Sequence, residues 1–186
     1  MKRTVLIMLG ALAMAASAFA QAAPSNDEMI QRALMAAPRN LAEGTTVVKW
    51  KDDGTYDTLK KGTSRLVCYD RSGEPGRAAF AVQCTSIGSL DRVAQNRKFE
   101  AILDRRERQK QIDAAEKDGT RVKPEYGAVW YTMNAPDKEH ATRVHITVAV
   151  PGATTQSTGI PDNPKQGGIW IMNAGTTTAH LMIPGN

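Results

Sequence analysis

Cysteine, aromatic residues and long apolar runs are all scarce in this sequence of 186 residues. Aromatic side chains make up 5% of the chain, so a hydrophobic core must be built mainly from aliphatic residues. The longest mostly apolar run covers residues 5–16, and it is shorter than the roughly 20 residues that a membrane-spanning helix needs. The sequence therefore predicts no membrane span.

The motifs of nucleophilic and nucleotide chemistry are missing as well. There is no Gly-x-Ser-x-Gly or Ser-x-x-Lys to mark a nucleophilic serine, and no Gly-x-x-x-x-Gly-Lys loop for nucleoside triphosphates. Removal of Lys2 and Arg3 with the signal peptide described next lowers the formal net charge from +5 to +3, which is too weak a bias to indicate nucleic acid. We expect no nucleic-acid partner, and no pattern indicates a cofactor.

The N-terminus has the organisation of a secretory signal peptide. Lys2 and Arg3 precede the apolar run, and small residues follow at Ala18 and Ala20, a pattern typical of cleavage after Ala20. We predict a signal peptide over residues 1–20 and a single exported domain over residues 21–186, since this length suits one core and not two. The expected location is the periplasm or the medium.

The two cysteines, Cys68 and Cys84, both lie in the exported part. In an oxidising compartment such a pair most simply forms a disulfide, whose loop closure stabilises a fold by about 3 kcal/mol. A redox-active pair would normally need Cys-x-x-Cys, which is absent. We predict a structural disulfide.

Two segments show helical patterns. Ser25 and Glu28 fit a capping box before an apolar stripe, which predicts a helix over 26–37 that ends before Pro38. Residues 89–117 contain neither proline nor glycine and carry many charges, which predicts one long helix with a solvated face.

The remaining segments predict strands. An Asp53-Gly54 pair between β-rich runs indicates a hairpin, and alternating segments follow Pro124, the last two joined by a turn at residues 173–175. These patterns predict an α+β fold with an antiparallel sheet of about five to seven strands and helices on one side.

Three residues are candidates for catalysis: His145, Thr147 and His180. Paired His-x-Thr strands are typical of two-histidine phosphoesterases, in which one imidazole is the general base and the other the general acid. The first tripeptide here, His145-Ile146-Thr147, fits. The second ends in Met182, which cannot donate a hydrogen bond to phosphate, so the alternative of two partly buried sheet histidines is favoured.

A metal site and an aromatic binding surface are the other possibilities. His140 and His145 lie near Asp137 and Glu139, but the spacing matches no short ligand motif, and we predict no metal site. Trp130 and Trp170 lie on predicted strands and would form an apolar groove beside the histidines if one face of the sheet were uncovered. Core packing is the competing interpretation of both tryptophans.

Several segments together resemble a family of uncharacterised exported bacterial proteins. The resemblance rests on "LMAAPRNLAEGTTVVKW", "SRLVCYD", "HITVAVP" and the tail pattern Gly-Gly-x-Trp-x-Met, Gly-Thr and Ala-His-x-Met-x-Pro. It implies an exported domain and no catalytic residue. We therefore expect a non-enzymatic binding module or envelope accessory protein, with a small hydrolase that uses His145 and His180 as the alternative.

Overall fold

The computed structural model of this protein describes residues 24–166 and 168–183, in an α+β arrangement. The predicted signal peptide, residues 1–20, lies outside the described residues. The strands are β1 (Thr46–Trp50), β2 (Tyr56–Lys60), β3 (Leu66–Asp70), β4 (Phe80–Ser86), β5 (Val129–Ala135), β6 (His145–Ala149), β7 (Trp170–Met172) and β8 (His180–Met182). The helices are α1 (Asn26–Leu34), α2 (Leu90–Glu100), α3 (Arg105–Lys117) and a single turn, α4 (Thr155–Thr158). None of the helices in the described part is long and apolar enough to cross a membrane.

All eight strands join in one sheet, in the order β2-β1-β3-β4-β5-β6-β8-β7. The predicted number of five to seven was too low, because β4, for which no strand was predicted, forms a central strand between β3 and β5. The sheet is also not wholly antiparallel, since β1 and β3 pair in parallel. This pairing arises because the chain after β2 passes over the start of β1 and continues on its other side.

That crossing depends on Gly62. A Cβ atom at this position would lie 2.2 Å from the carbonyl oxygen of Gly44 and 2.5 Å from the backbone of Thr45 and Thr46. Only a residue without a side chain therefore allows the two backbone segments to approach so closely.

Helices cover both sides of the first half of the sheet, which corrects the prediction of helices on one side. Helix α1 packs Ala33 against one side, in a cluster that includes Phe80 and Val82. Helix α2 packs Leu90 and Val93 against the opposite side. Because β1 and β3 are packed between the two helices, both alternating sets of their side chains are mainly apolar, whereas the set of β4 on the α2 side includes Gln83 and Thr85.

The predicted disulfide is present and lies under α1. Cys68 and Cys84 are directly paired residues of β3 and β4, and their sulfur atoms are 1.99 Å apart. Both residues are fully buried, and Cys84 Sγ lies 3.7 Å from the carbonyl oxygen of Ala33 in α1. The bridge therefore ties two central strands together below the helix.

The predicted helix over residues 89–117 is two helices. The break falls at residues 101–104, where Asp104 adopts an extended conformation and its carboxylate accepts a hydrogen bond from the backbone N–H of Glu107. Asp104 therefore caps α3 and does not continue α2. A strong N-cap residue in mid-segment divides a helix even without proline or glycine.

Both predicted hairpins form. Gly54 adopts a positive φ of 85° in the turn between β1 and β2, as a tight Asp-Gly turn requires. Strands β7 and β8 pair in antiparallel fashion, and Asn173 and Gly175 in the connecting turn both have positive φ. The N-terminal helix is capped by Ser25 as predicted, and it ends at Leu34.

Candidate functional site

The candidate site lies on one side of the last four strands, which we call the open face. A row of directly paired residues crosses this face from β5 to β7: Trp130, Thr147, Met182 and Trp170. Directly paired residues of neighbouring strands project to the same side of a sheet, and so do residues two positions apart on one strand. His145 and His180 are each two positions from this row, so both histidines and both tryptophans share the open face.

The open face is on the same side of the sheet as α2. A second row of paired residues leads across β3, β4, β5 and β6: Tyr69, Gln83, Thr132 and His145. Tyr69 packs in the same cluster as Leu90 and Val93 of α2. Helix α2 therefore forms a wall beside the open face, while the face itself forms a floor.

The two histidines do not converge. His180 pairs with Ala149, which lies four residues after His145 on β6. At the rise of a β-strand this offset separates the two positions by roughly 13 Å. The structure brings Thr147 and His180 to the same cavity, which His145 does not line.

This cavity, which we call the Arg92 cavity, lies where the open face meets α2 and has a volume of about 170 Å³. Hydroxyl, amide and basic side chains dominate its lining. The lining residues are Gln83, Arg92, Asn96, Pro124, Trp130, Thr132, Thr147, Ala149, Thr178, Ala179 and His180.

Arg92 is the central cation of the cavity, and it is only 3% exposed. Its guanidinium donates hydrogen bonds to the carbonyl oxygen of Val122 and to the hydroxyls of Thr177 and Thr178. Among the residues that the structure describes, Arg92 forms no ion pair with a carboxylate. The guanidinium is therefore held by neutral oxygens and makes no direct ion pair in the described chain.

A second buried arginine adds to this positive charge. Arg121 donates hydrogen bonds to the side chains of Gln95 and Asn96 of α2, and it too has no carboxylate partner within ion-pair distance in the described chain. Burial, together with the repulsion from Arg121, lowers the pKa of Arg92 to about 10. Arg92 therefore remains charged at neutral pH, in a setting where a nearby anion would be favourable.

Glu116 is linked to Arg92 through the two threonines that Arg92 contacts. Glu116 of α3 accepts hydrogen bonds from the hydroxyl and backbone N–H of Thr177, and from the hydroxyl of Thr178. Burial raises the pKa of Glu116, but these hydrogen bonds and the charge of Arg92 outweigh burial and hold the pKa below its ordinary value. Glu116 therefore stays ionised at neutral pH and fixes the two threonines from the side of α3.

A chain of hydrogen bonds leaves the Thr132 hydroxyl as a hydrogen-bond donor in the cavity. The Tyr69 hydroxyl donates to Gln83 Oε1, and Gln83 Nε2 donates to the Thr132 hydroxyl oxygen at 2.9 Å. Since Thr132 accepts this bond, its own proton is available to an acceptor in the cavity. This arrangement suits a ligand with an acceptor oxygen.

His180 has a defined tautomer. Its Nδ1 lies 2.8 Å from the carbonyl oxygen of Thr178, and a carbonyl can only accept, so Nδ1 carries a proton. In this tautomer the other ring nitrogen, Nε2, is an acceptor, so it suits a donor group of a ligand and not the acidic group itself. His180 is half-buried and fixed by this bond, which suits a positioned contact residue.

A second cavity, which we call the His145 cavity, adjoins the first. It has a volume of about 470 Å³. Its lining residues are Thr132, Asn134, Arg143, Val144, His145, Ile146 and Ile183. Thr132 lines both cavities.

Of the residues considered as metal ligands, His140 and Asp137 lie in an exposed turn outside both cavities. His140 Nδ1 contacts the Asp137 carboxylate at 2.6 Å in an exposed turn, and hydrogen bonds from His140 hold the pKa of Asp137 below its ordinary value. His145 belongs to the open face. Within residues 24–166 and 168–183 no group of three or more His, Cys, Asp or Glu side chains is arranged to hold a metal ion.

Sequence reasoning missed most of the residues that form the Arg92 cavity. Arg92 belongs to the predicted charged helix over residues 89–117 and was not singled out as a candidate, and its partners at 177–178 are more than 80 residues away in sequence. The three consecutive threonines at 176–178, placed just before His180, were a usable signal of a hydroxyl-rich turn. Trp130 was identified as a binding candidate and does line the cavity.

Comparison with protein-family models, with curated proteins and with solved structures found no match for this chain.

Proposed function

We propose that this protein is an exported, non-enzymatic binding module that holds a small molecule by an acidic group in the Arg92 cavity. The observation that carries the proposal is the buried charge of Arg92, which lines a cavity and has no carboxylate partner within ion-pair distance in the described chain. A buried cation without a direct ion pair is costly, and an anionic ligand in contact with it would reduce that cost.

The other groups of the cavity support an anionic ligand. The Thr132 hydroxyl has a proton to donate, because its oxygen already accepts from Gln83. A carboxylate or phosphate accepts several such bonds, and bonds to a charged acceptor are stronger than neutral ones. At about 170 Å³ the cavity suits a small acidic group better than a whole large ligand.

Binding has more support than hydrolysis. A two-histidine mechanism needs an acid and a base close to one reacting bond, whereas the strand register separates His145 and His180 by roughly 13 Å. Thr147 and His180 belong instead to the cavity of Arg92, where they would orient a ligand.

Export is part of the proposal. The sequence pattern of residues 1–20 and the disulfide between Cys68 and Cys84 both suit a periplasmic or secreted protein. Membership of the exported family that the tail pattern resembles stays a prediction.

Isothermal titration of the purified exported protein with acetate, benzoate and inorganic phosphate tests the proposal. Acetamide and benzamide, which are neutral, serve as matched ligands. We expect the acids to bind and the amides to bind at least tenfold more weakly, because the amides bring no charge to Arg92. Equal binding of acids and amides, or no binding of any acid, would contradict the proposal.

A matched pair of variants locates the site. Thr132→Val removes the hydroxyl donor and retains a β-branched side chain, whereas Thr58→Val makes the same change on the exposed edge strand β2. We expect T132V to weaken acid binding about tenfold or more, since a hydrogen bond to a charged group is worth about 1.5–3 kcal/mol. T58V should bind as the unmodified protein does. An unchanged affinity in T132V would place the anion elsewhere.

A further inference from the structure

The Arg92 cavity contains a hydrogen-bond acceptor that an acidic group cannot use. Two side-chain carbonyl oxygens of the lining, Gln83 Oε1 and Asn96 Oδ1, already accept hydrogen bonds from neighbouring side chains. In contrast, Nε2 of His180 carries no proton in the neutral ring and forms no hydrogen bond within the described chain. It is therefore available to a ligand group that donates a proton.

One residue, Thr178, holds both the cation and this acceptor. Its hydroxyl oxygen accepts a hydrogen bond from the Arg92 guanidinium at 2.7 Å, and its carbonyl oxygen accepts one from His180 Nδ1 at 2.8 Å. Because the same residue binds both side chains, the guanidinium and the imidazole ring are fixed relative to each other. The cavity therefore presents a cation and an acceptor in a defined arrangement.

The group that donates to His180 should be uncharged. The cavity has no Asp or Glu among its described lining residues, and the Glu116 carboxylate is engaged by Thr177 and Thr178 outside the lining. An ammonium group at His180 would be repelled by Arg92, and no carboxylate of the lining would compensate for this repulsion. A hydroxyl is the simplest donor without a charge.

The acid and the hydroxyl must lie at different ends of the ligand. Thr132, the donor that we propose for the acid, pairs with His145 of β6, whereas His180 pairs with Ala149 from the other side of the same strand. The two pairs are four residues apart along β6, yet the side chains of Thr132 and His180 line one cavity. A ligand that contacts both therefore holds its acid and its hydroxyl apart.

The tryptophan of the cavity lies between these two ends. Trp130 pairs with Thr147, which is two residues from His145 and two from Ala149 on β6. Trp130 is half-buried and belongs to the lining, so part of its ring is accessible to a ligand. Contact between two aromatic rings is favourable, and a rigid ring holds its substituents apart with little loss of conformational freedom on binding.

From these observations we infer that the Arg92 cavity takes a phenolic acid, with its carboxylate at Arg92 and Thr132, its ring beside Trp130 and its hydroxyl donating to His180 Nε2. An apolar cavity of about 150 Å³ holds one benzene ring, so a volume of about 170 Å³ suits a ligand with a single ring. This inference rests on the proposed function, because the carboxylate is the acidic group that the cavity holds. It adds the second group of the ligand and the place of that group.

The experiment is an isothermal titration of the purified protein with 4-hydroxybenzoate and 4-hydroxycinnamate at about pH 7.5, where imidazole is ordinarily neutral. Each phenolic acid is compared with its parent acid and with its methyl ether, which keeps the oxygen and lacks the proton. We expect at least one phenolic acid to bind about fivefold or more tightly than both, because one hydrogen bond is added. Salicylate, whose hydroxyl adjoins the acid, should show no gain over benzoate.

His180→Phe tests the acceptor, and His140→Phe is its control. H180F removes the ring nitrogens and keeps an aromatic ring, whereas H140F makes the same change in an exposed turn outside the Arg92 cavity. In H180F the phenolic acid should bind no more tightly than its parent acid. H140F should retain the whole gain. Circular dichroism shows whether each variant is folded.

A second measurement needs no variant. The ¹⁵N resonances of the imidazole rings are followed during titration of the labelled protein with the tighter-binding phenolic acid and with its parent acid. We expect the Nε2 resonance of His180 to move with the phenolic acid and to move much less with the parent acid, because only the phenolic acid donates to this nitrogen.

The outcomes separate this inference from the proposed function. Binding of the parent acids with no gain from the hydroxyl, or with a gain that the methyl ethers share, would overturn the inference and leave the proposed function standing. A gain that survives in H180F, or an Nε2 resonance that responds equally to both acids, would also overturn it, since the hydroxyl would then lie elsewhere. Failure of every acid to bind would overturn both.

Discussion

The two halves of the sheet differ in what covers them. Strands β1, β3 and β4 are packed between α1 and α2, they hold the disulfide, and most of their side chains are buried. In the other half, the loop after β6 packs against one side, around Ile171, while the open face shows threonines, histidines and tryptophans that are half-buried or exposed. The Arg92 cavity lies over the open half and reaches the covered half only at its border, through Gln83 of β4 and Arg92 of α2. We therefore assign binding mainly to the open half and stability mainly to the covered half.

Truncation of one large apolar residue in each half measures how differently the two halves are packed. Phe80→Ala removes a side chain that is 1% exposed, whereas Ile146→Ala removes one that is 38% exposed. We expect F80A to lower the free energy of unfolding by about 3–5 kcal/mol and I146A by less than about 1 kcal/mol. Urea unfolding followed by circular dichroism measures both values. Similar losses would show that the second half is as closely packed as the first.

Removal of the disulfide should act on stability alone. The variant Cys68→Ser/Cys84→Ser opens a loop with a sequence separation of 16, for which we expect a loss of about 3 kcal/mol. Urea unfolding of this variant, beside the unmodified protein with and without reductant, measures the loss. Acid affinity at low temperature should be unchanged, because the bridge lies on the α1 side and outside the Arg92 cavity. Loss of binding in a variant that is still folded would contradict the separation of the two halves.

The chain crossing at Gly62 tests the topology of the first half. Gly62→Ala would force a Cβ to within 2.2 Å of the Gly44 carbonyl oxygen, and we expect this to cost about 1–3 kcal/mol. Lys61→Ala, at the exposed neighbouring position, is the control and should change stability by less than about 0.5 kcal/mol. Thermal unfolding of the two variants gives the comparison. A G62A protein as stable as K61A would mean that β2 and β3 are connected by another route.

We expect acid pH to lower the stability of the first half of the sheet, because Glu100 becomes protonated. Burial raises the pKa of Glu100, but the charges and hydrogen bonds of Arg71 and Arg77 outweigh burial and hold it below the ordinary 4.5. Because the folded pKa is lowered, the stabilisation is present above about pH 4.5 and is lost as the pH falls through the folded pKa.

We expect the unfolding free energy to decline below pH 4.5, and Glu100→Gln to be less stable at pH 7 with a shallower decline in acid. Urea unfolding at a series of pH values measures both effects. Glu43→Gln is the control, since Glu43 is exposed and its side chain forms no ion pair in the described chain. A decline in E100Q as steep as in the unmodified protein would show that other carboxylates govern acid unfolding.

Local patterns in the sequence predicted local structure well. The Ser25 cap, the Asp53-Gly54 turn, the C-terminal hairpin and the disulfide all depend on residues close in sequence or on a single possible pairing. The parallel pairing of β1 with β3 was not predicted, because no turn signal specifies which strand a chain will join after a crossing.

The candidate site was predicted only in part, for the same reason. Trp130, Thr147 and His180 were named as candidates, and all three line the Arg92 cavity. The burial of Arg92 depends on threonines 85 and 86 positions away, and a charged stretch of helix gives no sign of such contacts. The division of residues 89–117 at Asp104 was hidden because a capping aspartate also fits an ion-paired helix.

Anion binding at the open face is tested most directly by a heteronuclear NMR titration of the uniformly ¹⁵N-labelled protein with benzoate, with benzamide as the neutral control. We expect benzoate-specific shifts of backbone amides in β5, β6, β8 and the turn at residues 176–179, together with α2 around Arg92. Amides of β1, β2 and β3 should not move. Shifts confined to the first half of the sheet, or equal shifts with benzamide, would contradict the claim that the open face is an anion-binding site.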